Sequence, residues 1–429
     1  MSPTFRSFVE RNYRYLFIGG LINNIGTWMG RTAQSWLVLT VLTDHDAAAL
    51  GIVTALQFLP ALLLAGWTGL IADRFPKRWI LTAAQSVLGL VQLTIGILVL
   101  TGNARLEIVY ALTFVYGIGS ALDAPARQAF VSEVVGPKLL SNAVGLNSAS
   151  FNTARLIGPG LAGLLIALVG TGWVFIIDAL SVLSIITYLW RMDARRLVPA
   201  PRARGSRGIR AGLAYVAQRP DMVLIFVVVF VHGTFAMNFQ MTTALMATTV
   251  FGLGPGEYGI LGSIMAVGSL AAALLVAQRP RPRLRFVLFG LAAFVVTTTA
   301  AALAPSYWAF AVLLVPVGLS SMTILPTANS LVQLAVEPEM RGRVMSLYLA
   351  IFMGGTPLGA PLIGWIGSVY GARWTLLVGS IADLLLLIGA GAYLLLQRRR
   401  LSVRYGRGAG PKHESGLTSS APMPEVNAS

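Results

Sequence analysis

The stretch Gly66-Trp67-Thr68-Gly69-Leu70-Ile71-Ala72-Asp73-Arg74-Phe75-Pro76-Lys77-Arg78 decides how the chain is read. An apolar run ends at Ala72, a charged turn follows, and a second apolar run begins at Trp79. A turn this short makes its two flanking helices antiparallel neighbours, and Gly66 and Gly69 let helices approach closely.

The same alternation extends outward in both directions. Of 429 residues, 56% are hydrophobic and only 11% are charged, where a soluble domain carries about a quarter charged residues. The charges fall in gaps between apolar runs, most of them long enough for the ~20 residues that a bilayer requires. Each run must be helical, because an open strand in lipid leaves backbone donors and acceptors unpaired. Twelve spans are expected, near 15–42, 48–72, 79–101, 106–131, 139–168, 172–190, 222–250, 256–277, 285–304, 307–333, 343–368 and 374–396. The fold class is therefore an all-α membrane protein.

Several chemistries lack their residues. There is no cysteine, and the three histidines are far apart, so neither a disulfide framework nor a thiol or histidine metal site is expected. No G-x-x-x-x-G-K-[S/T] loop, no H-E-x-x-H and no convincing Ser/His/Asp arrangement is present. The chain reads as neither an ATPase nor a hydrolase, and no cofactor or metal is expected.

The net charge of +16 is distributed by loop. The N-terminus, Arg74/Lys77/Arg78, Lys138, 191–221, Arg279/Arg281/Arg283/Arg285, Arg341/Arg343 and the tail hold nearly all loop Lys and Arg. That asymmetry places these loops and both termini in the cytoplasm. The partner of the charge is then anionic lipid headgroups rather than nucleic acid. Residues 1–14 read as a cytoplasmic interfacial segment with no cleavable signal peptide, and 15–190 as a six-helix bundle. Residues 191–221 read as a basic linker with a short amphipathic helix near 207–218, 222–397 as a second six-helix bundle, and 398–429 as a disordered tail. A shift of 201 residues lays Pro125 on Pro326, Phe151 on Phe352, Gly158 on Gly359 and Gly163 on Gly364 without a gap, so the bundles are related.

Charges within spans are costly and are functional candidates by default. Arg31, Asp123, Arg127, Arg155, Asp178 and Asp383 qualify. Asp123 and Arg127 share a helix face. A carboxylate that alternates between burial and a nearby Arg would couple protons to a cargo. Asp123, near Arg127 or Arg155, is the first choice for that role and Asp178 the second. The competing reading is that these groups only pin helices, and the duplicated positions of Asp178 and Asp383 favour a scaffold. Asn24, Arg31, Gln34, Gln57, His232, Asn238 and Gln240 are candidates for a midplane cavity, although a lone His232 is more often a helix-packing residue. Trp28 is read with the aromatic belt at span ends, and Met237, Met241, Met246 and Met265 as core. The inventory offers no rigid anion clamp, which favours a large, partly apolar cargo.

The opening stretch resembles the signature loop of the major facilitator superfamily, G-x-x-x-D-R-x-G-R-R/K. Gly69, Asp73, Arg74, Lys77 and Arg78 match it, and Pro76 stands where Gly is usual. The resemblance implies two pseudo-symmetric six-helix bundles and a cytoplasmic latch. In that latch Asp73 meets the amide end of span eleven near Arg341, and Arg74 and Arg78 pair with an acid such as Glu133. Span five resembles the superfamily's antiporter signature G-x-x-x-G-P-x-x-G-G through Gly158, Pro159 and Gly163, with Ala154 and Ala162 replacing two glycines. Leu122-Asp123-Ala124-Pro125-Ala126-Arg127-Gln128-Ala129-Phe130, Ile157–Gly160 and Ile177–Ser181 resemble the bacterial branch of enterobactin exporters and macrolide or multidrug efflux proteins. That implies a monomeric, proton-driven exporter of a small drug-like molecule or siderophore in the bacterial inner membrane. Import or facilitated diffusion of a nutrient, and a non-transporting scaffold or receptor, remain open alternatives.

Overall fold

The computed structural model describes residues 3–198, 209–278 and 282–396. The tail 398–429, the middle of the linker, Arg279 and Arg281 lie outside the described residues. The first half contains α1 (Arg11–Trp36, continued by a π-helical turn to Leu42), α2 (Ala47–Leu63), α3 (Ala65–Arg74), α4 (Lys77–Leu100), α5 (Leu106–Val169) and α6 (Thr171–Arg191). The linker helix α7 (Ile209–Ala217) leads to α8 (Pro220–Val231), α9 (Phe239–Leu245), α10 (Pro255–Ala277) and α11 (Leu284–Ala302). The chain then runs through α12 (Tyr307–Ala335), α13 (Pro338–Tyr370) and α14 (Ala372–Leu396). No strand occurs among the described residues. Nine helical stretches among them are long and apolar enough to cross a membrane, α5 counting once and Pro220–Val250 as one; α2 is apolar and shorter.

Local chemistry explains where the helices depart from the expected spans. Pro60 lies inside α2, and the helix breaks four residues on at Leu64 (φ −95°, ψ 1°). The expected span 48–72 is thus two helices. Phe75, which precedes a proline, is extended (φ −107°, ψ 154°), so α3 ends there and α4 starts after Pro76. α5 is 64 residues long with one non-helical residue, Gly136 (φ 67°, ψ 177°), a conformation essentially confined to glycine.

Contacts with α1 show that Gly136 divides α5 into two antiparallel legs. Thr113 meets Gln34 on one leg, while Ala143, Ser150 and Gly158 on the other meet Tyr13, Asn24 and Trp28 in ascending order. Residues Pro3–Val9 form a 3₁₀ helix rather than an α-helix. This segment is tied to α5 by Ser7, whose N–H and hydroxyl donate to Asn142 Oδ1 at 2.9 and 2.7 Å. α7 packs on the start of α13: Gly212 lies against the Arg343 carbonyl, and Arg219 pairs with Glu337 at 2.9 Å.

Lipid tails are as apolar as leucine, so helices in a bilayer are joined by close packing of small residues and by buried polar contacts. Gly19, Gly26 and Gly30 form such a track on α1 against α6, where a Cβ at Gly26 would stand 2.7 Å from Ser181 Cβ.

Candidate binding cavity and the seams that close it

Two glycine seams join the halves. On one, a Cβ at Gly163 of α5 would fall on the Pro255 carbonyl of α10 and 3.1 Å from Gly259 Cα. Gly259 in turn rests on the Pro159 carbonyl. On the other, a Cβ at Gly51 of α2 would stand 2.5 Å from the Ala360 carbonyl of α13 and 3.2 Å from Gly364 Cα, and a Cβ at Gly364 would stand 2.5 Å from the Ala47 carbonyl. The shift of 201 carries Pro159 and Gly163 onto Ala360 and Gly364, and a shift of 208 carries Ala47 and Gly51 onto Pro255 and Gly259. One helix crossing is therefore used twice. Gly158 does a different job from Gly163. It faces α1, where a Cβ would stand 2.6 Å from Trp28 Cβ, within its own half, just as Gly359 faces Thr234. Asp46 and Ser368 close this end, with the Ser368 hydroxyl donating to Asp46 Oδ1 at 2.8 Å and the Ala48 N–H donating to Ser368 Oγ at 2.9 Å.

The opposite end is built differently. Arg74 and Arg341 are exposed, and the ion pairs seen there among the described residues do not join the halves: Lys77–Glu133 lies within the first, and Arg219–Glu337 ties the linker end to the second. The side chain of Asp73 lies outside the described residues, and so does the surface around Gly69. Glu133 pairs with Lys77 at 3.0 Å, not with Arg74 or Arg78. Arg78 instead donates to the Trp190 carbonyl at 2.7 Å and stacks on its indole at 4.7 Å. The acid expected for those arginines is taken by the nearer lysine on the same turn.

Between the two ends is a cavity of about 480 Å³. α1 lines it with Trp28, Arg31 and Gln34, α2 with Gln57 and Phe58, and α5 with Phe151 and Arg155. From the second half come Met237, Asn238, Phe239, Gln240 and Met241, joined by Tyr258, Met265, Met322, Phe352 and Met353. The helix is broken where it meets the cavity. A π-helical turn covers His232–Ala236, and Met237 (φ −86°, ψ 21°) and Asn238 (φ −96°, ψ 31°) are non-helical before α9 starts. Broken helices of this kind are where membrane proteins place binding groups. The Asn238 amide donates to the Thr234 carbonyl at 2.9 Å, and its Oδ1 is buried without a partner.

Five of the seven cavity candidates line this space: Arg31, Gln34, Gln57, Asn238 and Gln240. Asn24 does not; it hydrogen-bonds Ser150 and lines a smaller pocket of about 130 Å³ with Arg127. His232 does not either. It is fully buried and bonded to Asp383 Oδ2 at 2.7 Å, with Ser321 at 3.3 Å on its other nitrogen. Met237, Met241 and Met265, expected in the core, lie on the cavity wall, and only Met246 is pure core. Trp28, expected in the aromatic belt, stands in the wall between two arginines. A signal for it was available, since Trp28 and Arg31 are three residues apart and share a helix face. The helix break at Met237 left no comparable trace.

The carboxylates separate by their partners. Asp123 accepts from Arg127 Nε and Nη2 at 3.0 Å each and from Gln85 at 2.8 Å. Arg155 is not its neighbour; it reaches Met322 Sδ at 3.7 Å and stacks over Trp28 at 5.7 Å. Asp178 is buried behind Gly30, bonded to Gln92 and Ser181, and its field reaches Arg31 without an ion pair. Asp383 occupies the matching place in the second half, aimed at His232 in the π-helical turn after α8 as Asp178 is aimed at α1. No group of His, Asp and Glu suited to a metal occurs among the described residues.

The chain is 26% identical over 393 residues to the staphyloferrin A transporter of Staphylococcus aureus, covering 86% of this chain and 93% of that protein. It is 27% identical over 407 residues to the multidrug efflux pump Tap of Mycolicibacterium fortuitum, covering 90% and 96%. It is 24% identical over 314 residues to the enterobactin exporter EntS of Escherichia coli, covering 70% and 72%. Among solved structures, a bacterial homologue of the lysosomal transporter Spinster superposes with a TM-score of 0.71 at 16% identity, over 90% of this chain and 97% of that one. The nucleoside transporter NupG gives 0.69 at 13% identity, over 89% and 98%. These two share the fold. The family model described as transmembrane secretion effector matches residues 2–404, and the chain belongs to that family of major facilitator transporters, which are not enzymes.

Proposed function

We propose that this protein exports a small, partly apolar organic molecule across the bacterial inner membrane in exchange for protons, by alternating access. The observation that carries the reading is the cavity between two related halves, closed at the Asp46 end by paired seams and unbridged at the Arg74 end among the described residues. Rocking one half against the other about such a site is alternating access. Loop arginines and lysines concentrate at the Arg74 end, so that end is assigned to the cytoplasm and the Asp46 end to the outside. The described state is then inward-facing, with twelve crossings and both termini inside. Export is supported by the names of the siderophore and drug transporters that the chain resembles, and by the antiporter-like Gly158, Pro159 and Gly163.

Asp178 is the carboxylate we assign to proton coupling, ahead of Asp123. Its hydrogen bonds are to neutral groups, so a proton gained or lost there breaks no ion pair. It also lies directly behind the cavity wall at Gly30 and Arg31. Asp123 is held on both oxygens by Arg127. Proteoliposomes with a pH dye inside test this against lipophilic cations, macrolides and catecholates. Cargo-dependent proton movement that is lost in Asp178→Asn and kept in Asp123→Asn is expected. Loss in Asp123→Asn alone moves the assignment to Asp123, and no proton movement with any compound, from folded protein, overturns antiport.

A further inference from the structure

The cavity carries two positive charges in its wall. Arg31 and Arg155 both line it, from α1 and from the second leg of α5. Their guanidinium carbons lie 5.2 and 5.7 Å from the ring centre of Trp28, so one indole contacts both cations. Neither forms an ion pair among the described residues. Arg31 Nε is buried without a hydrogen-bond partner, and the hydrogen bond of Arg155 is to the thioether of Met322, a weak acceptor, at 3.7 Å. No aspartate or glutamate lines the cavity. Asp178 lies behind Gly30 on Gln92 and Ser181, and Asp123 is taken by Arg127 and Gln85.

Two guanidiniums facing one cavity inside a membrane protein are expensive unless something compensates them. Cation–π contact with Trp28 recovers part of that cost but does not satisfy the in-plane N–H donors, of which Arg31 Nε is buried without a partner and Arg155 Nη1 meets only a thioether. Those donors form a planar fork that matches a carboxylate. The rest of the wall is aromatic and thioether: Phe58, Phe151, Phe352, Met237 and Met322. Methionine walls adapt to irregular apolar shapes.

We infer that the cavity binds an organic anion, a carboxylate on an aromatic or otherwise apolar body, with Arg31 and Arg155 as the two forks. The inference deepens the transport reading of the same cavity, yet binding is measurable without transport. The probes are fluorescein and rhodamine 123, which share a xanthene frame and carry opposite charge. Binding to the full chain in lipid nanodiscs is read by fluorescence anisotropy for wild type, Arg31→Gln, Arg155→Gln and Arg155→Lys. A thermal unfolding curve for each serves as the folding control.

Fluorescein is expected to bind more tightly than rhodamine 123. It should weaken about 10- to 100-fold in each glutamine variant, the range for losing a charge-assisted hydrogen bond, and less in Arg155→Lys. Rhodamine 123 should bind no worse in the glutamine variants. Tighter binding of the cation, equal binding of both dyes without dependence on either arginine, or binding of neither dye overturns the inference. Everted vesicles separate it from the export reading. Arginine-dependent binding of fluorescein without ATP-independent, proton-driven uptake of the dye upholds the anion cavity and counts against export. Uptake of rhodamine 123 alone upholds export and sinks the anion cavity.

Discussion

Valine at Gly259 should force the outer seam apart. A Cβ there would stand 3.0 Å from Gly163 Cα and 3.1 Å from Gly163 N, and closer still to the Pro159 carbonyl. Ordinary carbon contacts begin near 3.5 Å, and every atom in the way is backbone, so no side chain can rotate to make room. α5 and α10 must separate by about 0.5–1 Å, which forfeits about a quarter to a half of the dispersion energy at each contact. Overpacking of this kind costs about 1–3 kcal/mol. The penalty falls on the closed seam alone, so the ratio of seam-open to seam-closed molecules should rise by about 5- to 150-fold. The chain has no cysteine, so spin labels can be placed at Asn103 and Leu303 without background. Both residues are exposed and sit on turns of opposite halves at the seam end. Double electron–electron resonance should show the Asn103–Leu303 distances moving to longer values in Gly259→Val. Gly364→Val, which meets the Ala47 carbonyl on the other seam, should do the same. Unchanged distances in both variants, with the protein folded, would refute the idea that these seams hold the described state.

Three further outcomes follow from the same geometry. Gly136→Ala should lower stability by about 1–3 kcal/mol, read by thermal unfolding, because its φ of 67° and ψ of 177° exclude a Cβ. Arg78→Ala should cost about 1–2 kcal/mol through the lost Trp190 stack and carbonyl bond, and Arg78→Lys should recover only part of it, since lysine has no planar face to stack. His232→Leu and Asp383→Leu should each destabilise, by about 1–3 kcal/mol for the orphaned partner. Their double mutant should lose less than the sum, and additivity would argue against the 2.7 Å contact.

The helices were legible from the chain because the signal that sets them, long apolar runs interrupted by charge, is the physical requirement of the bilayer itself. The turn at Arg74 to Lys77 was equally legible, since a proline and a cluster of charge admit little else. The cavity was legible only in part. Gln34, Gln57 and Gln240 stood out because polar groups in greasy helices need a reason. Trp28 and the methionines did not, because an apolar side chain serves a core, a lipid face or a cavity wall equally well until its neighbours are known. His232 was legible as a helix-packing residue before a cavity one, but its partner was not. Its partner Asp383 is 151 residues away, and no local pattern announces a pair joined only in space. The assignment of Glu133 failed on proximity, because three basic residues on one turn competed for one acid. Asp73 keeps the reading given to it by its motif alone.

The seams have a consequence for how such proteins diversify. Their close contacts are to carbonyls and α-carbons, and so demand little of side chains beyond smallness at Gly51, Gly163, Gly259 and Gly364. On α5 the cavity residues Phe151 and Arg155 lie about one to three turns below Pro159 and Gly163. On α13 Phe352 and Met353 lie likewise below Ala360 and Gly364. Each helix thus carries its hinge surface and its recognition surface in tandem, meeting on α5 at Pro159, which belongs to both. Mutation is free to rewrite the lower turns for a new cargo while the upper turns go on parting and meeting as before, so selectivity can drift quickly on a gate that hardly changes.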